Sequence, residues 1–402
     1  MSEIRFSEDG RQQGTITSHS LDAEELRMIS AAVNWDSPND WAEYVYECAG
    51  RSVFFRSPTR NATVEDTLRG DFDGLQLIGA GGNFSRVQNR ISLRESVVVQ
   101  PVNSENHAHI DPLNRIGQLR EFAADGSLVL TYRTYMPLHG MDQGEAEKRE
   151  TYTGILRSIV NAISQQSRNI GFVVPELAAK GILEGHHDDV GNPLPCQVYR
   201  VPRTKRFAGQ IIQEILDEAH GEPADFNLSF QESQYFMGKA LRNFHGLGLA
   251  YMDSHPGNFS LLKGTSETKL YLTDLGSISN IGNDPHYDKY RALDVYLFLQ
   301  PMFAMAERLE AYLRSDFGRS FLSDSSKAMT YFTYCTLRGY FSPEEKKHGE
   351  QIVDRDVNAL APYVTECVRE NHIQEFCDVF SMIPISAPTC GNIAKVSFLE
   401  QS

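Results

Sequence analysis

The sequence has no long hydrophobic run and no apolar segment near its start. A bilayer-spanning helix needs roughly 20 consecutive apolar residues, and the richest stretch, residues 295–305, is interrupted by Gln300 and Pro301. Residues 1–13 are polar and lack the apolar core of a secretory signal. These absences predict a chain without a membrane span and favour a cytoplasmic location. Export as a bacterial effector, without such a signal, stays open.

Cysteine is scarce and positive charge is not in excess. Six cysteines are scattered over 402 residues, too few for a disulfide scaffold, so we expect reduced thiols. Acidic residues outnumber basic ones by 53 to 38, and the formal net charge is −15. This balance provides no basic surface for nucleic acid and no polybasic anchor for an anionic membrane.

Secondary-structure signals divide the chain into two halves. The first half contains β-branched and aromatic runs typical of strands, and from Ala208 onward apolar residues mostly recur at helical spacing. This pattern predicts an α+β protein of two lobes. Its parts are an N-terminal extension (1–70), a strand-rich N-lobe (71–202) and a helical C-lobe (203–402). Within the extension, capping residues predict helices over 21–33 and 41–49.

Three polar residues in the second half could carry chemistry. Asp253 and Asn258 lie on one loop that contains Pro256 and Gly257, and a short apolar strand then leads to Asp274. Oxygen ligands such as Asn258 and Asp274 are those that Mg²⁺ prefers beside phosphate groups. Asp253 is then available to orient or deprotonate an attacking hydroxyl group.

This arrangement resembles the catalytic loop and the metal-binding motif of the protein-kinase superfamily. The resemblance implies a two-lobed protein-kinase-like fold that uses ATP with Mg²⁺ or Mn²⁺. It implies that Asp253 is the catalytic aspartate and that Asn258 and Asp274 ligate the metal. The segment HPGN at 255–258 is more similar to the loops of aminoglycoside- and choline-type kinases and of the AarF/UbiB group.

A glycine-rich turn lies upstream, between two strand-like segments. Glycines let backbone N–H groups approach phosphate oxygens without obstruction by Cβ. The turn resembles the nucleotide-binding loop of protein kinases, and the resemblance places Val87 against adenine. The nucleotide-contacting positions implied in this way are Gly79, Gly81, Gly82, Ser85 and Val87.

One residue that the resemblance calls for is missing. Protein kinases hold the α- and β-phosphates with a lysine on the third strand, but the strand-like segment at 128–136 contains no lysine. Arg133 is its only cation, and arginine can bind phosphate through two parallel hydrogen bonds. We therefore predict that Arg133 replaces the lysine, with Arg86 or Arg90 as alternatives.

A glutamate on the following helix should pair with this cation. The helix is predicted over 145–164, and three of its glutamates are candidates: Glu145, Glu147 and Glu150. Glu150 is preferred for its distance along the chain from Arg133, and a surface position is the alternative for all three.

The segment after Asp274 limits the kind of substrate. Only 20 positions separate Asp274 from Asp294, which resembles the anchoring aspartate of the central C-lobe helix, so little room is left for a peptide-binding segment. We expect transfer of the γ-phosphoryl group of ATP to a hydroxyl-bearing small molecule or protein. The alternatives are a pseudokinase that serves as a nucleotide-binding scaffold, which the missing lysine favours, and a kinase fold used for adenylylation.

Overall fold

The computed structural model describes the chain over thirteen stretches. They are residues 13–34, 40–49, 52–79, 97–101, 118–133, 141, 143–165, 171–187, 193–219, 226–317, 320–322, 324–341 and 354–383. Most of the predicted nucleotide-binding loop lies outside them, namely Gly81, Gly82, Ser85 and Val87, together with Arg86 and Arg90.

The elements alternate between strand and helix in the first half and are mostly helical in the second. The strands are β1 (Gln13–Ser18), β2 (Val45–Ala49), β3 (Ser52–Arg56), β4 (Gly74–Ile78), β5 (Val97–Pro101), β6 (Gln118–Phe122), β7 (Leu128–Arg133), β8 (Phe172–Val173), β9 (Glu176–His187), β10 (Pro193–Val201), β11 (Leu249–Ala250), β12 (Phe259–Lys263), β13 (Thr268–Leu272) and β14 (Ser279–Asn280). The α-helices are α1 (Ala23–Asn34), α2 (Val64–Arg69), α3 (Gln143–Gln165), α4 (Phe207–Ala219), α5 (Phe226–Gly246), α6 (Tyr287–Phe317), α7 (Ser325–Phe341), α8 (Asp354–Arg369) and α9 (Ile373–Ser381).

Six strands form the main sheet of the first half. Their order is β1-β9-β10-β4-β3-β2, and all neighbours run antiparallel. Side chains alternate between the two faces of a strand. Leu75 and Leu77 of β4 therefore pack with helix α1, whereas Ile78 lies in the cluster that includes Leu262 and Tyr271 of the second half. The sheet is thus covered on one face by α1 and packs on the C-terminal half with the other.

Residues 13–56, predicted as part of an N-terminal extension, are built into this sheet. They supply β1, β2, β3 and helix α1, and α1 confirms the first predicted helix. The helix predicted over 41–49 is wrong, because residues Val45–Ala49 form β2 after a single 3-10 turn. Val45 and Tyr46 favour a strand once β3 is available as a partner, and the ring of Tyr46 packs on Phe54.

The second half is helical, as predicted, and the two halves together confirm the α+β class. Helices α5 to α9 surround the largest apolar cluster of the described residues. Helices α5 and α7 approach each other closely at Gly238 and Gly339, where an added Cβ would collide with the backbone of the opposite helix. No helix in the described part of the chain is long and apolar enough to span a bilayer.

The predicted strand that carries Arg133 is confirmed as β7, but it does not lie in the main sheet. It is the middle strand of a three-stranded sheet with the order β5-β7-β6. The turn between β6 and β7 packs on the helical half: the ring centroids of Phe122 and Tyr290 are 5.1 Å apart, and Lys289 donates to the Gly126 carbonyl. In the main sheet β10 lies between β9 and β4, and β4 has no cationic residue.

Candidate active site

The loop that contains Asp253 connects helix α5 with the hairpin of β12 and β13. After α5, Gly248 adopts a left-handed conformation with φ of 74°, and an added Cβ would lie 2.9 Å from Gly282 Cα. This close approach, where β11 pairs with β14, requires glycine. Residues 251–258 follow as an irregular loop before β12.

The register of the hairpin brings the metal-ligand candidates together. Phe259 pairs with Leu272, and the Thr273 N–H donates to the Asn258 carbonyl over 3.0 Å. Asn258 therefore lies directly beside the residue that precedes Asp274. The antiparallel pairing of β12 with β13 therefore brings Asn258 and Asp274 close together.

Asp294 of helix α6 fixes the backbone of this loop. Its buried carboxylate accepts hydrogen bonds from the N–H groups of Tyr251 and Met252, at 2.6 and 2.7 Å. Met252 has a φ of 63°, a conformation that costs free energy for a residue with a side chain. The two hydrogen bonds hold this conformation, and they confirm Asp294 as an anchor of the loop.

His245 is buried on the same carboxylate. Its Nε2 lies 3.1 Å from Asp294 Oδ2, and its Nδ1 lies 2.7 Å from the hydroxyl of Tyr340. Burial lowers the pKa of His245, and the hydrogen bond with Asp294 offsets this only in part. A neutral ring donates from Nε2 to the carboxylate and accepts at Nδ1. His245 therefore supports the loop from within the core.

Asp253 itself is held by the far end of its loop. Asn258 Nδ2 donates to Asp253 Oδ2 at 2.9 Å and to the Asp253 carbonyl at 3.0 Å. His255 Nε2 lies 3.8 Å from Asp253 Oδ1, while its Nδ1 accepts from the Gly257 N–H at 3.0 Å. The Asp253 side chain is 34% exposed, so an incoming hydroxyl group can reach it.

Asp274 follows β13 and begins a short 3-10 helix. Its Oδ1 accepts from the Gly276 N–H at 3.2 Å, and Ser277 Oγ donates to its carbonyl. Asp274 Oδ1 also accepts a hydrogen bond from Arg149 Nη2 at 2.7 Å. Two donors therefore fix the carboxylate of Asp274, which is still 34% exposed.

Arg149 is a residue of this site that sequence reasoning missed. It lies on helix α3, is only 5% exposed, and also contacts Glu145 Oε1 at 3.3 Å, one turn earlier on the helix. Burial alone would lower the pKa of the guanidinium, but the charges of Asp274 and Glu145 raise it above its usual value. The sequence did contain one indication that Arg149 is buried. Helical spacing puts Arg149 on the same face of α3 as Leu156, a buried residue.

The predicted nucleotide-binding residues are described only in part. Gly79 directly follows β4 with a φ of 91°, and an added Cβ would lie 2.8 Å from the Pro195 carbonyl oxygen of β10. Glu150 forms an ion pair of 2.5 Å with Lys180 of β9, and each of the two side chains is about 40% exposed. The side chain of Arg133 lies outside the described part, so its pairing with Glu150 stays a prediction.

The donor set fits a magnesium–nucleotide complex. Asn258 directs its Nδ2 to Asp253, which leaves its amide oxygen as the atom that can ligate a metal beside Asp274. The described residues contain no group of three or more His, Cys, Asp or Glu side chains that could hold a metal ion. A metal here would need phosphate oxygens as further ligands, a common mode for Mg²⁺.

Three buried polar atoms lie in or beside the site residues without a hydrogen-bond partner in the described part of the chain. Ser254 Oγ, Thr273 Oγ1 and Arg149 Nε are buried and have no hydrogen-bond partner within the described residues. Buried polar atoms are nearly always paired in folded proteins.

Comparisons with known proteins give structural matches only. No family model matches the chain, and no curated protein matches its sequence. Among solved structures, the chain is similar to WaaP in complex with acyl carrier protein, with 15% identity, a TM-score of 0.27, and coverage of 56% of this chain and 84% of the other. It is also similar to the ROP18 kinase domain in complex with AMP-PNP and sucrose, with 12% identity, a TM-score of 0.34, and coverage of 83% and 81%.

The described residues form an α+β arrangement of two halves. A strand-rich half packs on a helical half, and the loop of Asp253 lies where the two meet, between α5 and the β12–β13 hairpin. At these identities the matched structures assign no role to any residue of this chain. Roles for these residues depend on the geometry of the site.

Proposed function

We propose that this chain is a phosphotransferase that uses ATP and Mg²⁺ to phosphorylate a hydroxyl group. The observation that carries the proposal is the loop of Asp253. The catalytic candidate and the metal-ligand candidate Asn258 are joined by a hydrogen bond of 2.9 Å, the hairpin register sets Asp274 beside them, and a buried aspartate fixes the backbone that carries them.

Asp253, Asn258 and Asp274 have different roles in the proposed reaction. Asp253 accepts the proton of the acceptor hydroxyl while the hydroxyl oxygen bonds to the γ-phosphorus and the bond to the leaving ADP oxygen breaks. Asn258 orients the Asp253 carboxylate through Nδ2. Asn258 and Asp274 would hold Mg²⁺, which neutralises charge on the phosphate oxygens. The acceptor is a small molecule or a protein that presents a hydroxyl group.

The exposure of the two carboxylates supports this division. Asp253 and Asp274 are each about one third exposed, and each already has a fixed hydrogen-bond donor. They are therefore oriented before a ligand arrives, and pre-oriented groups lower the cost of reaching the transition state.

The first test measures binding of the nucleotide. Calorimetry of the full chain with ATP and MgCl₂, or MnCl₂, should show saturable binding, and the melting temperature should rise with ATP concentration, since a ligand that binds only the folded state stabilises it. No binding at millimolar concentrations contradicts the proposal.

The second test identifies the transferred group. The protein is incubated with a cell lysate and ATP labelled at either the α- or the γ-phosphate. Transfer of the γ-label supports the phosphotransferase. Transfer of the α-label indicates adenylylation, and nucleotide binding without transfer of either label indicates a scaffold.

A further inference from the structure

Helix α3 supplies a buried cation, Arg149, that was not predicted for this site from the sequence. Arg149 Nη2 donates to Asp274 and to Glu145, at 2.7 and 3.3 Å. Burial of an ion pair carries a large desolvation cost, so an arginine at 5% exposure that touches a metal-ligand candidate calls for an explanation.

Two cations of the main sheet already have carboxylate partners among the described residues, since Lys180 of β9 pairs with Glu150 and Arg200 of β10 pairs with Glu25. Strand β4, which borders β10, has the sequence GLQLI. Its central residue is Gln76, which is buried and donates to Ser52 Oγ at 3.0 Å. The strand that carries Arg133 belongs to a different sheet. Among the described residues, Arg149 is the cation in direct contact with Asp274.

We infer that Arg149 binds the phosphate groups of the nucleotide, so that the cation of this site comes from helix α3 and not from a strand. The inference rests on the proposed function, because it assumes that a nucleotide enters the cleft with its metal on Asp274. A phosphate group bound through a metal on Asp274 would lie near the guanidinium that contacts this carboxylate.

The donors of Arg149 are sufficient for this role. A guanidinium has five N–H donors in a planar fork that matches phosphate oxygens. Two hydrogen bonds use Nη2, and Nε has no partner among the described residues. Gly276 also leaves room for the fork, because an added Cβ at this position would lie 3.1 Å from Arg149 Nη2.

Glu145 acts as a positioning residue for the same cation. It lies four residues before Arg149 on α3, and its side chain is 22% exposed. This carboxylate would keep the guanidinium in place when a metal binds to Asp274. The helix that carries both residues is itself fastened to the main sheet, since Gln197 Nε2 of β10 donates to the Ala146 carbonyl at 2.9 Å.

The test compares two ligands and two arginines. Affinities for Mg–ATP and for adenosine are measured by calorimetry on the wild type, on Arg149→Gln and on Arg157→Gln. Arg157 is the matched control, since it lies on the same helix but pairs with Glu176 at 3.0 Å on a partly exposed face. Loss of charged hydrogen bonds to phosphate should weaken Mg–ATP binding by about 10- to 100-fold in Arg149→Gln. Adenosine affinity should not change in either variant.

The possible outcomes separate this inference from the proposed function. If the wild type fails to bind Mg–ATP, the proposed function falls, and the inference with it. If the wild type binds and Arg149→Gln binds Mg–ATP equally well, the inference alone is overturned. A parallel loss of ATP and adenosine affinity overturns it as well, because it indicates a structural role.

A second variant covers the case in which Arg149→Gln does not fold. Arg149→Lys retains the charge of the buried pair with Asp274 but lacks the planar fork. It should bind Mg–ATP several-fold more weakly than the wild type and adenosine equally well. Unchanged affinity for both ligands contradicts a phosphate contact through the guanidinium.

Discussion

Two polar regions adjoin the loop of residues 251–258, and they differ in how completely their atoms are paired. In the first, Asp294, His245 and Tyr340 are fully buried and are bonded to one another or to the loop backbone. In the second, Asp253 and Asp274 are each 34% exposed, and buried atoms beside them lack partners among the described residues. The first region therefore stabilises the fold, while the second is available to ligands.

The comparison predicts its largest effect on catalysis at Asp253. Asp253→Ala should lower kcat by on the order of 10²- to 10⁴-fold if this carboxylate is the general base. The affinity for Mg–ATP and the free energy of unfolding should remain near wild type, because Asp253 is partly exposed and acts on the acceptor. Kinetics and calorimetry on the same preparation test this, with circular dichroism as the folding control.

Asp274→Ala provides the contrast within the same region. Loss of this carboxylate removes a metal ligand and a partner of Arg149, so both Mg–ATP affinity and turnover should fall. Full transfer activity in Asp253→Ala would show that the assignment of the loop is wrong. The hydrogen bond between Asn258 and Asp253 would then be a feature of the turn alone.

The next largest effect is expected on stability, at Asp294. Asp294→Asn retains the volume but puts an amide N–H₂ among the N–H donors of Tyr251, Met252 and His245. A buried donor without an acceptor is costly, so unfolding should become easier by about 3 kcal/mol. Turnover should fall too, since the conformation of Met252 before Asp253 loses its support. Urea unfolding followed by fluorescence measures the change.

Comparison of Asp294→Asn with Asp253→Ala would distinguish the structural role of the buried region from the catalytic role of the exposed one. Asp253→Ala should affect turnover alone, whereas Asp294→Asn should affect both turnover and stability. A stable Asp294→Asn protein would contradict the role of this buried carboxylate as an anchor of the loop.

Local features of the site could be predicted from the sequence. Asp253, Asn258 and Asp274 lie on one loop and one hairpin, so the order of residues along the chain already implies their arrangement. The two-half architecture was equally accessible, because strand and helix signals are local and are segregated along the chain. The buried role of His245 also follows from its place near the end of a helix, on the same face as the buried Leu241.

Features that depend on distant parts of the chain could not be predicted in this way. Arg149 and Asp274 are 125 positions apart, and no local spacing connects them. Val45–Ala49 became a strand because β3 pairs with it. The sheet of Arg133 was missed because its position depends on pairing with β5 and β6. In each case a tertiary contact overrides or adds to the local propensity.

The smallest predicted effect concerns pH and again separates the buried region from the exposed one. Burial lowers the pKa of His245 below its ordinary value of 6.5. As the pH falls through about 6.5, the unfolded histidine takes up a proton that the folded ring does not, so the unfolded state gains stability. The contribution of His245 is fully present above that pH and is lost below it, by at most about 1.4 kcal/mol per pH unit.

His245→Gln tests this sign directly, since glutamine does not titrate but can still donate to Asp294. The melting temperature of the wild type should fall more steeply than that of His245→Gln between pH 7.5 and 5.5. His372→Gln, which removes an imidazole that is 53% exposed, is the matched control and should follow the wild-type profile. Parallel profiles for the wild type and His245→Gln would mean that the folded and unfolded states take up a proton at His245 equally, which contradicts a lowered pKa for the buried ring.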